Sequence, residues 1–160
     1  MMLGSDMTGP SVRRAHANDL PAILEIEMAS PAAAHWTNSQ YEQIITGEER
    51  LFLVAEEGSR ILGYLVASTQ TSEWELENVA VAPDARRRGI GRALMNALIH
   101  QAHEVEATEI RQEIRRSNLA AQQLGRSVGF RQQGLRRGYY RDPQEDALLF
   151  NYLLDKPENG

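Results

Sequence analysis

Asn78-Val79-Ala80-Val81-Ala82-Pro83-Asp84-Ala85-Arg86-Arg87-Arg88-Gly89-Ile90-Gly91-Arg92-Ala93-Leu94-Met95 decides the fold of this chain. The stretch reads as a strand, a basic glycine-containing turn and the opening of a long helix. Val79 and Val81 are β-branched and alternate with small neighbours, as in a strand. Pro83 ends that strand because it has no N–H to give to a ladder. From Ile90 the period becomes helical, with Ile90, Ala93, Leu94, Ala97 and Leu98 on one face. Gly89 and Gly91 lie at the junction, where the first N–H groups of a helix have no internal partner. Free N–H groups, no bulky side chains and three preceding arginines suit the site to phosphates.

Several phosphate ligands compete for such a turn. A Walker A loop needs Gly-x4-Gly-Lys-Ser/Thr, and the chain has no such run. A dinucleotide fingerprint needs a third glycine where Leu94 stands, although Glu109 or Glu113 falls about twenty residues on, where a ribose-binding acid sits. That reading is weakened and stays open. Arg86-x-x-Gly89-x-Gly91 fits better elsewhere, because it resembles the acyl-coenzyme A pyrophosphate loop of the GNAT acetyltransferases. The plainer alternative is an ordinary turn between strand and helix with solvated arginines.

Outward from the turn, composition sets the bounds. At 160 residues, with 42% hydrophobic and 24% charged content, the chain is read as one domain with a core of its own. The lack of cysteine excludes a disulfide framework, a thiolate zinc site and a cysteine nucleophile. A formal net charge of −5 argues against general nucleic-acid binding, while leaving room for a local basic patch. No apolar run approaches membrane-spanning length and the N-terminus lacks the apolar core of a signal peptide, so a cytoplasmic protein is expected. His16, His35, His100 and His103 form no metal constellation, and the last two are expected on the exposed side of a helix.

The remaining elements follow from local pattern. Residues 1–10 read as a flexible leader, 11–155 as the single domain and 156–160 as a flexible tail. Ser11 to Ala15 is a first strand. Asn18 is the expected N-cap of a helix from Asp19 to Met28, and Ser39 that of a second helix carrying Tyr41, Ile44 and Ile45 and closed by Gly47. Leu51 to Ala55 and Ile61 to Ala67 form a hairpin around Glu57-Gly58-Ser59. Trp74 to Val81 leads into the basic turn, and the helix from Ile90 ends near Glu106. A strand from Glu109 to Ile114, a helix from Ser117-Asn118 through Val128 with Gly129 as its cap, and strands Phe130 to Tyr139 and Ala147 to Leu153 complete a mixed α/β order.

Several motifs in this order extend the resemblance to most of the chain. Trp36-Thr37, Asn78 to Pro83, Arg86 to Arg92, Glu113-Ile114-Arg115-Arg116-Ser117-Asn118, Val128-Gly129-Phe130 and Arg136-Arg137-Gly138-Tyr139-Tyr140 together resemble the ribosomal-protein-alanine N-acetyltransferases, a group within the GNAT superfamily. The resemblance implies the GNAT fold, a mixed central sheet flanked by helices whose two central strands splay apart. It also implies acetyl-coenzyme A as co-substrate and an amine acceptor, most simply the N-terminal α-amino group of a protein such as a ribosomal protein. Neither nucleic acid nor membrane is an implied partner. A small amine or a lysine as acceptor, and a non-catalytic acyl-coenzyme A binding module, are the alternatives.

The same resemblance assigns roles. Val79, Ala80 and Val81 would present backbone groups to the acetyl carbonyl and pantetheine, a form of strand addition by a ligand; the plain reading of the two valines is core. Arg87, Arg88, Gly89, Ile90, Gly91 and Arg92 would wrap the pyrophosphate, and Asn118 would meet the pantetheine arm. Glu113 is the leading general base, with Glu75 and Glu77 on the earlier strand as competitors on a shared face. Glu77, Tyr139 and Tyr140 would line the substrate groove. The departure is Gly125, where the family places a tyrosine as acid to the leaving thiolate.

Overall fold

The computed structural model describes residues 9–154. The expected tail and all but the last two residues of the expected leader lie outside the described residues. Strands run over Ser11–Arg14 (β1), Arg50–Glu57 (β2), Arg60–Ser68 (β3), Glu73–Val81 (β4), Glu109–Arg115 (β5), Arg131–Tyr140 (β6) and Glu145–Leu153 (β7). Helices run over Leu20–Met28 (α1), Asn38–Thr46 (α2), Ile90–Glu104 (α3) and Leu119–Ser127 (α4). The strands form one sheet in the order β1-β2-β3-β4-β5-β7-β6. Every neighbouring pair is antiparallel except β4 and β5.

Two helices cover each face. Gly63 and Tyr64 are successive on β3 and therefore point to opposite faces. A Cβ on Gly63 would meet Ile90 and Leu94 of α3 at 3.2 and 3.3 Å and the Ala80 carbonyl oxygen at 2.9 Å, so only glycine lets α3 seat this closely. The Tyr64 hydroxyl, on the other face, meets that of Tyr41 in α2 at 3.1 Å. The apolar stripe of α3 is buried as its period predicted, with Leu94, Met95, Leu98 and Ala102 fully enclosed. His100 and His103 are exposed, as expected.

Both predicted helix caps are displaced. Arg13 grips the Asp19 carboxylate through two N–H groups at 2.9 and 3.0 Å, and the His16 N–H donates to the same group at 2.7 Å. A short 3₁₀ turn, Ala17–Asp19, therefore precedes α1, with Asp19 and not Asn18 at its N-cap. In α2 the cap is Thr37, not Ser39. The Thr37 hydroxyl accepts from the Gln40 N–H at 3.1 Å while Gln40 Oε1 accepts from the Thr37 N–H at 2.7 Å, a reciprocal capping box. Phe130, predicted as strand, is instead a buried residue preceding β6.

The parallel pairing of β4 with β5 stops early. Its register runs from Glu73 opposite Glu109 to Leu76 opposite Gln112, and beyond that point the strands have no pairing. A bulge in β4 sits at the same level, since Val66 opposes Asn78 while Ala67 opposes Leu76. Glu77 is thus the extra residue. Trp74 and Leu76 point to the α3/α4 face with Ala67, whereas Asn78 and Ala80 point to the α1/α2 face with Val66 and Tyr64. The sheet is split from one edge, with its vertex at Leu76 and Gln112.

Candidate active site

The basic turn is built as its residues require. Ala82 closes β4 by donating to the Leu62 carbonyl at 2.8 Å, and Pro83–Ala85 form one 3₁₀ turn. Gly89 is the N-cap of α3 with φ of 79°, a left-handed conformation that costs other residues steric strain. Its carbonyl accepts from the Ala93 N–H at 3.0 Å, so the N–H groups at the start of α3 remain without intrahelical partners. Gly91 serves packing as well: a Cβ there would lie 3.1 Å from Leu124 of α4. Ile90 is buried, leaving its backbone rather than its side chain for any ligand. Arg88 is held by Glu57 at 2.8 Å, whereas Arg87 and Arg92 are exposed with no ion pair among the described residues.

Beyond the vertex, β4 offers an unpaired edge. The Ala82–Leu62 hydrogen bond sets the alternation of the antiparallel ladder, which directs the backbone groups of Ala80 toward β3. Those of Val79 and Val81 consequently face the split. The valine side chains are half-buried on the α3/α4 face, so the plain core reading and the open backbone edge coexist. On the far side, Asn118 caps α4 by accepting from the Ala121 N–H at 3.1 Å, which leaves its amide nitrogen for other contacts. Glu145 accepts from the Ser117 N–H at 2.8 Å and from Arg115 at 3.1 Å, pinning the entry to α4 onto β7. These bonds, the backbone one foremost, hold the Glu145 carboxyl below the usual carboxylate range.

Glu113 is the first β5 residue past the vertex. Gln112 faces Gly125 of α4, so Glu113 points to the opposite face, the one on which Glu77 lies. Its side chain is 26% exposed, reachable from solvent yet bounded by Arg136 at 3.2 Å and, more loosely, by the Tyr139 hydroxyl at 3.4 Å. Arg136 also lies over the Tyr139 ring, and Tyr139 packs edge-on against Tyr140. Tyr140 stacks under the Arg115 guanidinium at 4.2 Å. Burial first, and then the charge of Glu113, push the Tyr140 phenol up, so it remains protonated at neutral pH. The fold brings Glu113, Tyr139 and Tyr140 together, and Arg136 completes the cluster.

Glu77 sits across the vertex from Glu113 but is engaged. Arg50 pairs with it at 2.6 Å and again at 3.3 Å, and that bond raises the arginine further above its already high value. The pair lines a groove of about 330 Å³ with Trp36, Gln40, Ile44 and Glu49. Glu75 is exposed on the same strand. Sequence reading did not find the buried polar cluster beneath this groove. Asn78 donates to the hydroxyls of Tyr41 and Tyr64 at 3.0 and 3.2 Å, and Tyr41 donates to Glu27. Glu27 also accepts from the Trp36 N–H at 3.1 Å, and Asn78 from the Ala34 N–H at 3.3 Å, so the cluster ties the loop before α2 to the bulge of β4. Burial pushes the Tyr64 phenol up to about 12.

Comparison with known proteins converges on one family. The model of the acetyltransferase (GNAT) family matches residues 18–130. A [ribosomal protein bS18]-alanine N-acetyltransferase of Escherichia coli is 33% identical over 133 residues, 82% of this chain and 88% of that protein. The N-alpha-acetyltransferase RimI of Mycobacterium tuberculosis is 34% identical over 116 residues, 70% of this chain and 72% of that protein. The crystal structure of the Escherichia coli enzyme superposes with a TM-score of 0.82 at 28% identity, covering 94% of this chain and 97% of that one.

Proposed function

Because the chain belongs to the GNAT acetyltransferase family and is an acetyl-coenzyme A-dependent N-acetyltransferase, we propose that its acceptor is the N-terminal α-amino group of a protein, with a ribosomal protein as the first candidate. The observation that carries this reading is the split sheet with Glu113 as the first β5 residue past the last β4 pair, on the open face beside Arg136 and Tyr139. The pantetheine arm lies along Val79 and Val81, whose free backbone groups can pair with its amides and with the thioester oxygen. The pyrophosphate rests on the N–H groups that open α3, flanked by Arg87 and Arg92. The acceptor enters over the groove of Trp36, Gln40 and Glu77, with Tyr139 and Tyr140 on its other side. An enzyme of this kind acts in the cytoplasm, where ribosomal proteins are assembled.

The chemistry asks little of the base. A peptide α-amino group has a pKa of about 8, so a sizeable fraction is already neutral at physiological pH. Glu113 takes the proton that the nitrogen sheds as it bonds to the acetyl carbon. The developing oxyanion is met by an N–H of the β4 edge, and the thiolate departs toward α4. A panel of peptides tests the acceptor through coenzyme A release. Peptides with free N-termini should be turned over and the same peptides with blocked N-termini should not. Equal turnover of blocked, lysine-containing peptides would assign the enzyme to lysine acetylation instead.

A further inference from the structure

Gln112 ends the part of β5 that pairs with β4, is 8% exposed, and its Oε1 has no hydrogen-bond partner among the described residues. A buried amide oxygen without a donor is costly, and native interiors supply such atoms with a donor from protein, ligand or water. Across from it stands Gly125, inside helix α4. A Cβ there would lie 3.8 Å from Gln112 Oε1, 3.6 Å from Phe150 and 3.5 Å from Phe130, all ordinary contact distances. Crowding therefore does not require glycine at this position, and helix propensity disfavours it. What the glycine leaves unfilled is the place a Cβ would take, bordered by two aromatic side chains and one unpartnered acceptor, at the vertex of the split.

We infer that Gln112 and Gly125 together hold a water that stabilises the departing thiolate. The inference rests on the transferase reading above. One O–H of the water donates to Gln112 Oε1, and the other points into the split, toward the sulfur. As the amine nitrogen bonds to the acetyl carbon, the C–S bond breaks and its electron pair goes to sulfur. The sulfur accepts a hydrogen bond from the water and is then protonated from solvent through it. Glu113 returns to solvent the proton it took from the amine, so no net proton is gained or lost. Base and thiolate partner lie on opposite faces of the sheet because Gln112 and Glu113 are successive residues of one strand. Gln112 is a positioning residue, acting through the water.

The test is Gln112→Leu, which keeps the side chain's approximate size and suits the aromatic neighbours, measured alone and combined with Gly125→Tyr. Gln112→Leu should lower kcat by about tenfold to a hundredfold while coenzyme affinity stays within about twofold, the signature of an interaction made in the transition state. Adding Gly125→Tyr puts a phenol into the same space and should restore most of the lost turnover. The inference is overturned if Gln112→Leu keeps kcat within about twofold of wild type, if lost coenzyme affinity accounts for the whole loss, or if Gly125→Tyr recovers nothing. Wild-type turnover on a free N-terminal peptide is the reference arm. Its absence would sink the transferase reading and this inference with it, whereas normal wild-type turnover beside an unimpaired Gln112→Leu overturns the inference alone.

Discussion

Replacing Asn78 with alanine removes the centre of the cluster that joins the loop before α2 to the bulge of β4. Two of its hydrogen bonds run to the fully buried hydroxyls of Tyr41 and Tyr64 at 3.0 and 3.2 Å, and each should contribute about 1 kcal/mol net. The third, from the Ala34 N–H, contributes little because Ala34 is exposed and that N–H can turn to water. The tyrosines keep each other and Glu27 as partners, so neither hydroxyl is orphaned. A small residual hole adds to the loss, giving about 2–3 kcal/mol in total. For a domain of this size that is a fall in melting temperature of about 4–12 °C. Asn78→Asp should be worse, since it loses both donors and sets a second carboxylate near buried Glu27. Thermal and urea unfolding of both variants give the answer. An Asn78→Ala loss below about 0.5 kcal/mol, or an Asn78→Asp protein as stable as wild type, would refute the reasoning.

Glu113→Gln should lower kcat by about 10²-fold or more while acetyl-coenzyme A still stabilises the fold; a near-normal Glu113→Gln beside an inactive Glu77→Gln or Glu75→Gln would move the base to β4. Gly89→Ala, forced to keep a φ of 79°, should cost about 1 kcal/mol, and Gly91→Leu should press on Leu124 and part α3 from α4. Both should shrink the rise in melting temperature given by acetyl-coenzyme A, whereas NAD should give wild type no rise. Asp19, held below its ordinary pKa chiefly by Arg13, contributes stability that is fully present above its unfolded value of about 3.9 and is lost as pH falls through the folded value. Asp19→Asn should therefore cost about 1–2 kcal/mol at pH 7, and the gap should close as pH is lowered below about 4 in urea titrations.

Where the determinants are local, the chain is legible. The period of Ile90, Leu94 and Leu98, the turn at Gly58-Ser59 and the left-handed Gly89 each depend on neighbours within a few residues. The Thr37-x-x-Gln40 capping box is equally local, and its threonine lies two residues before Ser39, the expected cap. Asn18 lost its role to a carboxylate gripped by Arg13 six residues away, an interaction no window over the helix contains. The bulge at Glu77 carries no glycine or proline to announce it, yet it decides which face Asn78 and Leu76 occupy. The partners of Asn78 stand 37 and 14 residues away, so the cluster emerges only from tertiary packing. Of the candidate site, Glu113 and the tyrosines are named by family motifs; Arg136 as the counterion of Glu113 and Arg50 as that of Glu77 emerge only from the fold.

Amide hydrogen exchange along β4 reads the seat of the coenzyme directly. The ladder to β3 already protects the Ala80 N–H, while those of Val79 and Val81 face the unpaired split. Saturating acetyl-coenzyme A should slow exchange at Val79 and Val81 and leave Ala80 little changed. Unaltered exchange at both valines in a protein saturated with the coenzyme would contradict the assignment of this edge as its binding strand.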